Sequence, residues 1–240
     1  MKRQDGRSHD QLRSVKITPG FVNTAPGAVL IEMGQTRVLC TVSIEDRVPP
    51  FLVGKNKGWL TAEYGMLPGS SPQRVSRESS TGRPNGRTRE IQRLIGRSLR
   101  SAVDLSRLGE RTLYIDCDVL QADGGTRTAS ITGAWVAMVL AVRHLSEHGR
   151  LDDEDVVKTQ VAAVSAGIVE GEALLDLCYV EDSQADTDMN AVMTSNGGII
   201  ELQATAERAP FTREQSEVLL DMTSAGVESL IAEQLKAIAS

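Results

Sequence analysis

The chain has 240 residues, 40% of them apolar and 24% charged, with a formal net charge of −6. That length allows one large domain or two small ones around a substantial core. No apolar run approaches the roughly eighteen residues that span a bilayer, and Met1-Lys2-Arg3-Gln4-Asp5 leads into polar residues, so no membrane partner is expected and the cytoplasm is the expected location.

Residues 1–14 are polar and basic and read as an extended arm, with His9 as a surface histidine. Ala28 to Glu32 and Arg37 to Ile44, rich in β-branched residues around Met33-Gly34-Gln35, predict a hairpin. Pro49-Pro50, Gly54, Gly58, Pro68-Gly69 and Pro72 then punctuate a stretch read as one long loop, a length usually reserved for function or disorder. A helix is predicted from about Thr88 to Val103. Its residues Ile91, Leu94, Ile95, Leu99 and Ala102 share one side, and Arg89, Arg93, Arg97 and Arg100 crowd an opposite sector of about 80°. Such a basic face suits RNA or the acidic surface of a neighbouring subunit. The wider stretch Ser70 to Arg111 holds ten arginines against four acidic residues in an otherwise acidic chain, so a polyanion would be met locally.

Tyr114 to Leu120 alternates apolar and polar residues and predicts a strand, which Asp123-Gly124-Gly125 breaks. From Thr126 onward Ile131, Ala134, Trp135, Met138, Ala141, Val142 and Leu145 recur at helical spacing. A strand, a glycine turn and a helix N-terminus in that order favour an anion, because the first turn carries unpartnered N–H groups and the positive end of the helix dipole. Gly124 and Gly125 allow close approach to the backbone, Thr126 and Thr128 add hydroxyls, and Arg127 adds a guanidinium able to grip phosphate in two places. On these residues alone a phosphate site and an ordinary capped helix are equally good readings. The Walker order is absent, so a nucleoside-triphosphate hydrolase is not implied.

His144 and His148 end this helix without the order of a zinc peptidase, and basic groups in a last turn suit the helix dipole. Cys40, Cys117 and Cys178 are odd in number and sit in apolar runs, which reads as buried reduced thiols. Beyond Val161, strands are predicted over Val161 to Val169, Leu174 to Val180, Met189 to Met193 and Ile199 to Ala204. Thr212 with Gln215 reads as a capping box before a C-terminal helix. Faint similarity between RVLCTVSIED and LLDLCYVEDS hints at two related halves, about 15–145 and 155–240, within one domain of 1–240. Glu181, Asp182, Asp186 and Asp188 form an acidic cluster. It is either solvated, or Asp182 and Asp188 at the mouth of adjoining strands hold a hard divalent cation or supply an acid.

Beyond these patterns, Arg47-Val48-Pro49-Pro50-Phe51, Gly58-Trp59-Leu60-Thr61-Ala62-Glu63-Tyr64, Arg77-Glu78-Ser79-Ser80 and Gly86-Arg87-Thr88 resemble text of the bacterial ribonuclease PH family. So do Gln121-Ala122-Asp123-Gly124-Gly125-Thr126-Arg127-Thr128 and Asp188-Met189-Asn190, and the resemblance runs from Arg3 to about Glu207. It implies an α+β fold of mixed and antiparallel sheets with packed helices and βαβ units, assembled as a hexameric ring, a trimer of dimers. It further implies a phosphorolytic 3′→5′ exoribonuclease that trims the 3′ ends of transfer-RNA precursors with inorganic phosphate and releases nucleoside diphosphates, the reverse addition being possible. The family's phosphate ligands fall on Arg87, Gly125, Thr126 and Arg127, and its catalytic carboxylates on Asp182 and Asp188. Asp188 is the expected general acid, with Asp182 helping it, and the same two carboxylates are the expected ligands of Mg²⁺. Arg74 and Arg77 match positions tied to RNA engagement or ring assembly, while Gly69 departs from a commonly basic position. With Arg93 and Arg97 these make the expected RNA contacts. Aromatics are only 3% of the chain, so grip on RNA should rest on its phosphates and weaken with salt.

Two rival readings are a non-catalytic RNA-binding ring subunit and a metal-dependent hydrolytic nuclease. Retention of Arg87, Thr126-Arg127, Asp182 and Asp188 together argues against the first, and a phosphate site would be of little use to the second.

Overall fold

Alternating apolar residues build the first half of the chain into a five-stranded sheet. The computed structural model describes residues 3–78, 82, 84–151 and 154–239. Strands β1 (Val15–Pro19), β2 (Gly27–Met33), β3 (Thr36–Glu45), β4 (Trp59–Met66) and β5 (Thr112–Gln121) lie in the order β1-β2-β3-β5-β4. All neighbours are antiparallel except β4 and β5. That parallel pair needs a crossover, which helix α1 (Gly86–Ser101) supplies, so one βαβ unit is present. The apolar side of α1 buries Ile91, Leu94, Ile95 and Leu99.

A second sheet of β6 (Val161–Val169), β7 (Glu172–Leu175), β8 (Thr187–Thr194) and β9 (Ile199–Ala206) is wholly antiparallel, in the order β7-β6-β8-β9. Between the sheets runs α2 (Thr126–Glu147), packed on β2 and β3 on one side and β6 on the other. A helix buried all round must be apolar all round. This one has the length and mean hydropathy of a membrane span, yet most of it is buried inside the protein, which makes it the core helix. A one-turn helix α3 (Tyr179–Asp182) precedes β8, and the long helix α4 (Arg213–Ala239) closes the far side. Gln234 on α4 donates to the carbonyls of Thr132 and Val161 at 2.9 Å each, pinning α4 to both α2 and β6. The α+β class with mixed and antiparallel sheets is as expected.

Several expectations change. The long loop contains β4, whose Leu60, Ala62 and Tyr64 are buried on one face, so its alternation was present between glycine and proline punctuation. The arm leads into β1, and instead of lying extended over the surface it carries two buried arginines, Arg3 and Arg13. The strand predicted over Leu174 to Val180 stops at Leu175, where Asp176 adopts a φ of 52° and turns the chain into α3. Cys40 and Cys117 are buried free thiols, whereas Cys178 is half-buried at the start of α3. The capping box at Thr212 forms: its N–H donates to Gln215 Oε1 at 2.8 Å, and Gln215 N–H to Thr212 Oγ1 at 3.2 Å.

Candidate active site

The strand β5 leads through Ala122 into Asp123-Gly124-Gly125, and both glycines take left-handed conformations, with φ of 74° and 64°. A Cβ on Gly124 would sit 2.5 Å from the Leu177 carbonyl oxygen, so the turn is pressed directly against the segment leading to α3. Gly125 serves as the N-cap of α2 without any side chain capping the helix. The turn is braced from behind. Thr36 Oγ1 accepts from the Asp123 N–H at 2.9 Å and donates to the Gly124 carbonyl at 2.6 Å. Arg13 donates to the Asp123 and Gly124 carbonyls and holds the buried Asp176 carboxylate in a bidentate pair, 2.7 Å and 3.0 Å.

In front of the turn lie Arg87, from the first turn of α1, and Arg127, from the first turn of α2; with Gly125, Thr126, Asp182 and Asp188 they line one cleft. It widens outward to about 570 Å³, adding Ser183, Gln203, Thr205, Glu207 and Arg208. Arg127 is aimed by two neighbours: it donates to Gln203 Oε1 at 2.8 Å and stands 3.7 Å from the Glu90 carboxylate. Thr126 Oγ1 lies 2.9 Å from the Tyr64 hydroxyl. Burial raises the Tyr64 pKa against the opposing pull of that hydrogen bond, so the phenol stays protonated.

Opposite the arginines stand the two carboxylates. Asp188, on β8, is pushed up to about 6, first by burial and then by the negative charge of Asp182, with Arg127 and the Asn190 hydrogen bond opposing. Asn190 Nδ2 donates to its two oxygens at 3.4 Å and 3.2 Å. Asp182, at the end of α3 rather than at a strand mouth, is also raised by burial, while Arg87, Arg127 and Arg13 pull it down. A carboxyl held near neutral beside an anion cradle can deliver a proton to an oxygen leaving phosphorus. As a metal site, the pair offers two hard oxygen donors, and no group of three or more His, Cys, Asp or Glu that could hold a metal is present among the described residues. Such a set fits Mg²⁺, which keeps several waters and shares phosphate oxygens.

All six residues expected to bind phosphate or do chemistry thus converge. The four expected RNA contacts divide. Arg77 lines a separate cavity of about 170 Å³ that shares Arg87 with the cleft. Arg74 is exposed in the connection between β4 and α1, and Arg93 is exposed on α1. Arg97 is ion-paired to Glu201 of β9. Arg100 leaves the basic face altogether: it stacks 4.9 Å over the Trp59 ring and donates to the Leu60 carbonyl. Of the acidic cluster, Glu181 is buried against Arg3, and Asp186 faces Arg208 at 3.8 Å.

Sequence reasoning passed over Tyr64, Asn190, Gln203, Arg13 and Asp176. The first two stand inside the quoted stretches Gly58 to Tyr64 and Asp188 to Asn190. The last three are joined to the site only through contacts 76 to 163 residues apart in the chain, which leave no local pattern.

Two family models match the chain: the 3′ exoribonuclease family, domain 1, over residues 11–143, and domain 2 of the same family over residues 159–226. Ribonuclease PH of Syntrophomonas wolfei is 56% identical over 234 residues, covering 98% of both chains. Among solved structures, a chain of the Archaeoglobus fulgidus exosome with RNA bound to the active site superposes with a TM-score of 0.80 at 23% identity, covering 97% of this chain and 92% of that one. Rice (Oryza sativa) Rrp46 gives 0.80 at 19% identity, over 99% and 100%. At these identities the structural likeness speaks for the fold.

Proposed function

The chain belongs to the 3′ exoribonuclease family, and on that premise we propose that it shortens RNA from its 3′ end by phosphorolysis. It is a phosphate-dependent exoribonuclease acting on the 3′ ends of transfer-RNA precursors. The observation that carries this reading is the confrontation, within one cleft, of an uncapped helix N-terminus flanked by Arg87 and Arg127 with the raised carboxyl of Asp188.

Inorganic phosphate sits on the N–H groups at the start of α2, held by Arg87, Thr126 and Arg127, with Gly125 giving it access to the backbone. One of its oxygens attacks the last phosphodiester phosphorus in line with the 3′ oxygen of the penultimate nucleotide. The new P–O bond forms the diphosphate of the released nucleoside diphosphate. The old bond breaks toward the 3′ oxygen, which takes the proton of Asp188 and becomes the 3′ hydroxyl of RNA one nucleotide shorter. Arg87 and Arg127 neutralise charge gathering on the phosphoryl oxygens. Asp182 keeps the neighbouring negative charge that favours a protonated Asp188. Mg²⁺, where bound, would be held by Asp182, and by Asp188 only once its proton is given up, and would supply further neutralisation of the phosphate oxygens. The reverse reaction follows the same path.

RNA enters across the outer cleft, and Arg74, Arg77, Arg93 and Arg97 contact its backbone. Arg97 must then exchange Glu201 for a phosphate, so its contribution is the smallest of the four. The chain assembles as a homo-hexamer, a trimer of dimers, and works in the cytoplasm, where Cys40 and Cys117 stay reduced.

The test is a transfer RNA carrying extra labelled 3′ nucleotides, incubated with enzyme and Mg²⁺, with and without inorganic phosphate. Nucleoside diphosphates formed only with phosphate are expected. Monophosphates formed without phosphate would replace the reading with hydrolysis, and no product in either tube would replace it with an RNA-binding scaffold. Light scattering on the same sample should return the mass of six chains.

A further inference from the structure

Arg3 lies 178 residues from Glu181, yet its side chain is wholly buried against that carboxylate. Its Nε donates to Glu181 Oε1 at 2.8 Å and its Nη2 to Oε2 at 2.7 Å; its Nη1 reaches the Leu175 carbonyl at 2.9 Å and Nη2 the Asp176 carbonyl at 3.1 Å. The guanidinium therefore holds both the carboxylate of α3 and the backbone that enters it. Glu181 is turned inward by a second bond as well, since its Oε2 accepts from the Cys178 N–H at 3.0 Å and closes the turn on itself. The next residue is Asp182. From the same arm, Arg13 grips Asp176 and the carbonyls of the glycine turn, and the Tyr179 N–H reaches Asp123 Oδ1 at 3.2 Å. One polar seam joins the two halves of the cleft from behind.

We propose that Arg3 and Glu181 are positioning residues of the active site: the buried pair sets the orientation of α3 and so the placement of Asp182 against Asp188, while Arg13 and Asp176 set the phosphate turn. This rests on the functional reading of Asp182 and of the Gly125-Arg127 turn given above. A buried ion pair adds little net stability compared with apolar packing, so geometry is what it contributes. Lysine could keep the charge at position 3 but has one donor centre in place of the planar fork, and it cannot hold two carboxylate oxygens and two carbonyls together.

The experiment measures kcat and the KM for phosphate in Arg3→Lys, Glu181→Gln and Arg13→Lys, and repeats the first two in an Asp182→Asn background, with thermal melts to confirm folding. Arg3→Lys and Glu181→Gln are expected to lower kcat about ten- to a hundred-fold with phosphate KM within about two-fold, since misplacement of about 1 Å costs on that order. In the Asp182→Asn background each should cost less than about three-fold more, because what they orient is gone. Arg13→Lys should instead raise phosphate KM about ten-fold. Equal losses in both backgrounds, or a lowered melting temperature with unchanged kcat, would overturn the positioning role and leave the functional reading standing. An Asp182→Asn enzyme with full turnover would overturn the reading itself, and the proposal with it. If Arg3→Lys fails to fold, Glu181→Gln decides.

Discussion

Helices α1 and α2 both begin at the cleft, each with an arginine in its first turn, yet their N-termini are finished differently. On α1, Asn85 accepts from the Thr88 N–H at 2.9 Å, and the Thr88 hydroxyl donates to Glu78 at 2.6 Å, so the helix satisfies itself. On α2, the cap is a left-handed glycine with no side chain to offer, so no side chain caps the N–H groups of its first turn. The difference teaches what a cap costs in function. A side-chain cap would stabilise α2 by about 1 kcal/mol and occupy the place proposed for the phosphate. Arg87 is thus delivered by a self-contained helix, Arg127 by one left open.

The largest effect should come from the acid facing the open end. Asp188→Asn is expected to lower turnover about 10²- to 10⁴-fold, measured at saturating phosphate. The same change should make the protein more stable. With its folded pKa raised above the unfolded value, Asp188 destabilises the native state as pH rises through the range from about 4 to 6. Asp188→Asn should therefore gain roughly 1–2 kcal/mol at pH 7, discounted for partial solvation, and nothing below pH 4, in urea melts with chelator present. Next, Arg127→Ala should raise phosphate KM about ten- to a hundred-fold, the scale of a lost charge-assisted hydrogen bond, whereas Arg93→Ala should leave phosphate KM unchanged and weaken RNA binding only at low salt. Gly124→Ala, driven against the Leu177 carbonyl at positive φ, should cost about 2 kcal/mol or more in a thermal melt and spoil phosphate affinity with it. The smallest effect tests the closed end: Asn85→Ala should cost about 1 kcal/mol and keep phosphate KM within two-fold. If Asn85→Ala instead abolished phosphate binding, the contrast between the helices would fail.

Local chemistry was legible in the sequence. A helix beginning within a residue or two of Thr126, Val161 to Val169 as a strand, the capping box at Thr212 and the apolar face of α1 each follow from residues within a few positions of one another. The convergence of Arg87 on Asp182 and Asp188 came from resemblance, since no periodicity joins residues so far apart. β4 was read as loop because the glycines and prolines around it outweighed three alternating apolar residues. Leu174 to Val180 was read as one strand because six of its seven residues are apolar, while the left-handed turn falls on the seventh, Asp176, a residue type that tolerates it without announcing it. The basic face of α1 was read as one surface, yet Trp59 takes Arg100 and Glu201 takes Arg97, and both partners lie on other strands.

The burial of Arg3 against Glu181 has a consequence for biosynthesis. The cleft cannot be complete until Arg3 meets a residue made 178 positions later in translation. At about 5–20 residues per second, Arg3 waits on the order of ten to thirty seconds for its partner to be synthesised, and longer for that partner to clear the ribosome. During that interval the first sheet can form while its arm has nowhere to dock, and neither Asp182 nor Asp188 has yet come to face the glycine turn.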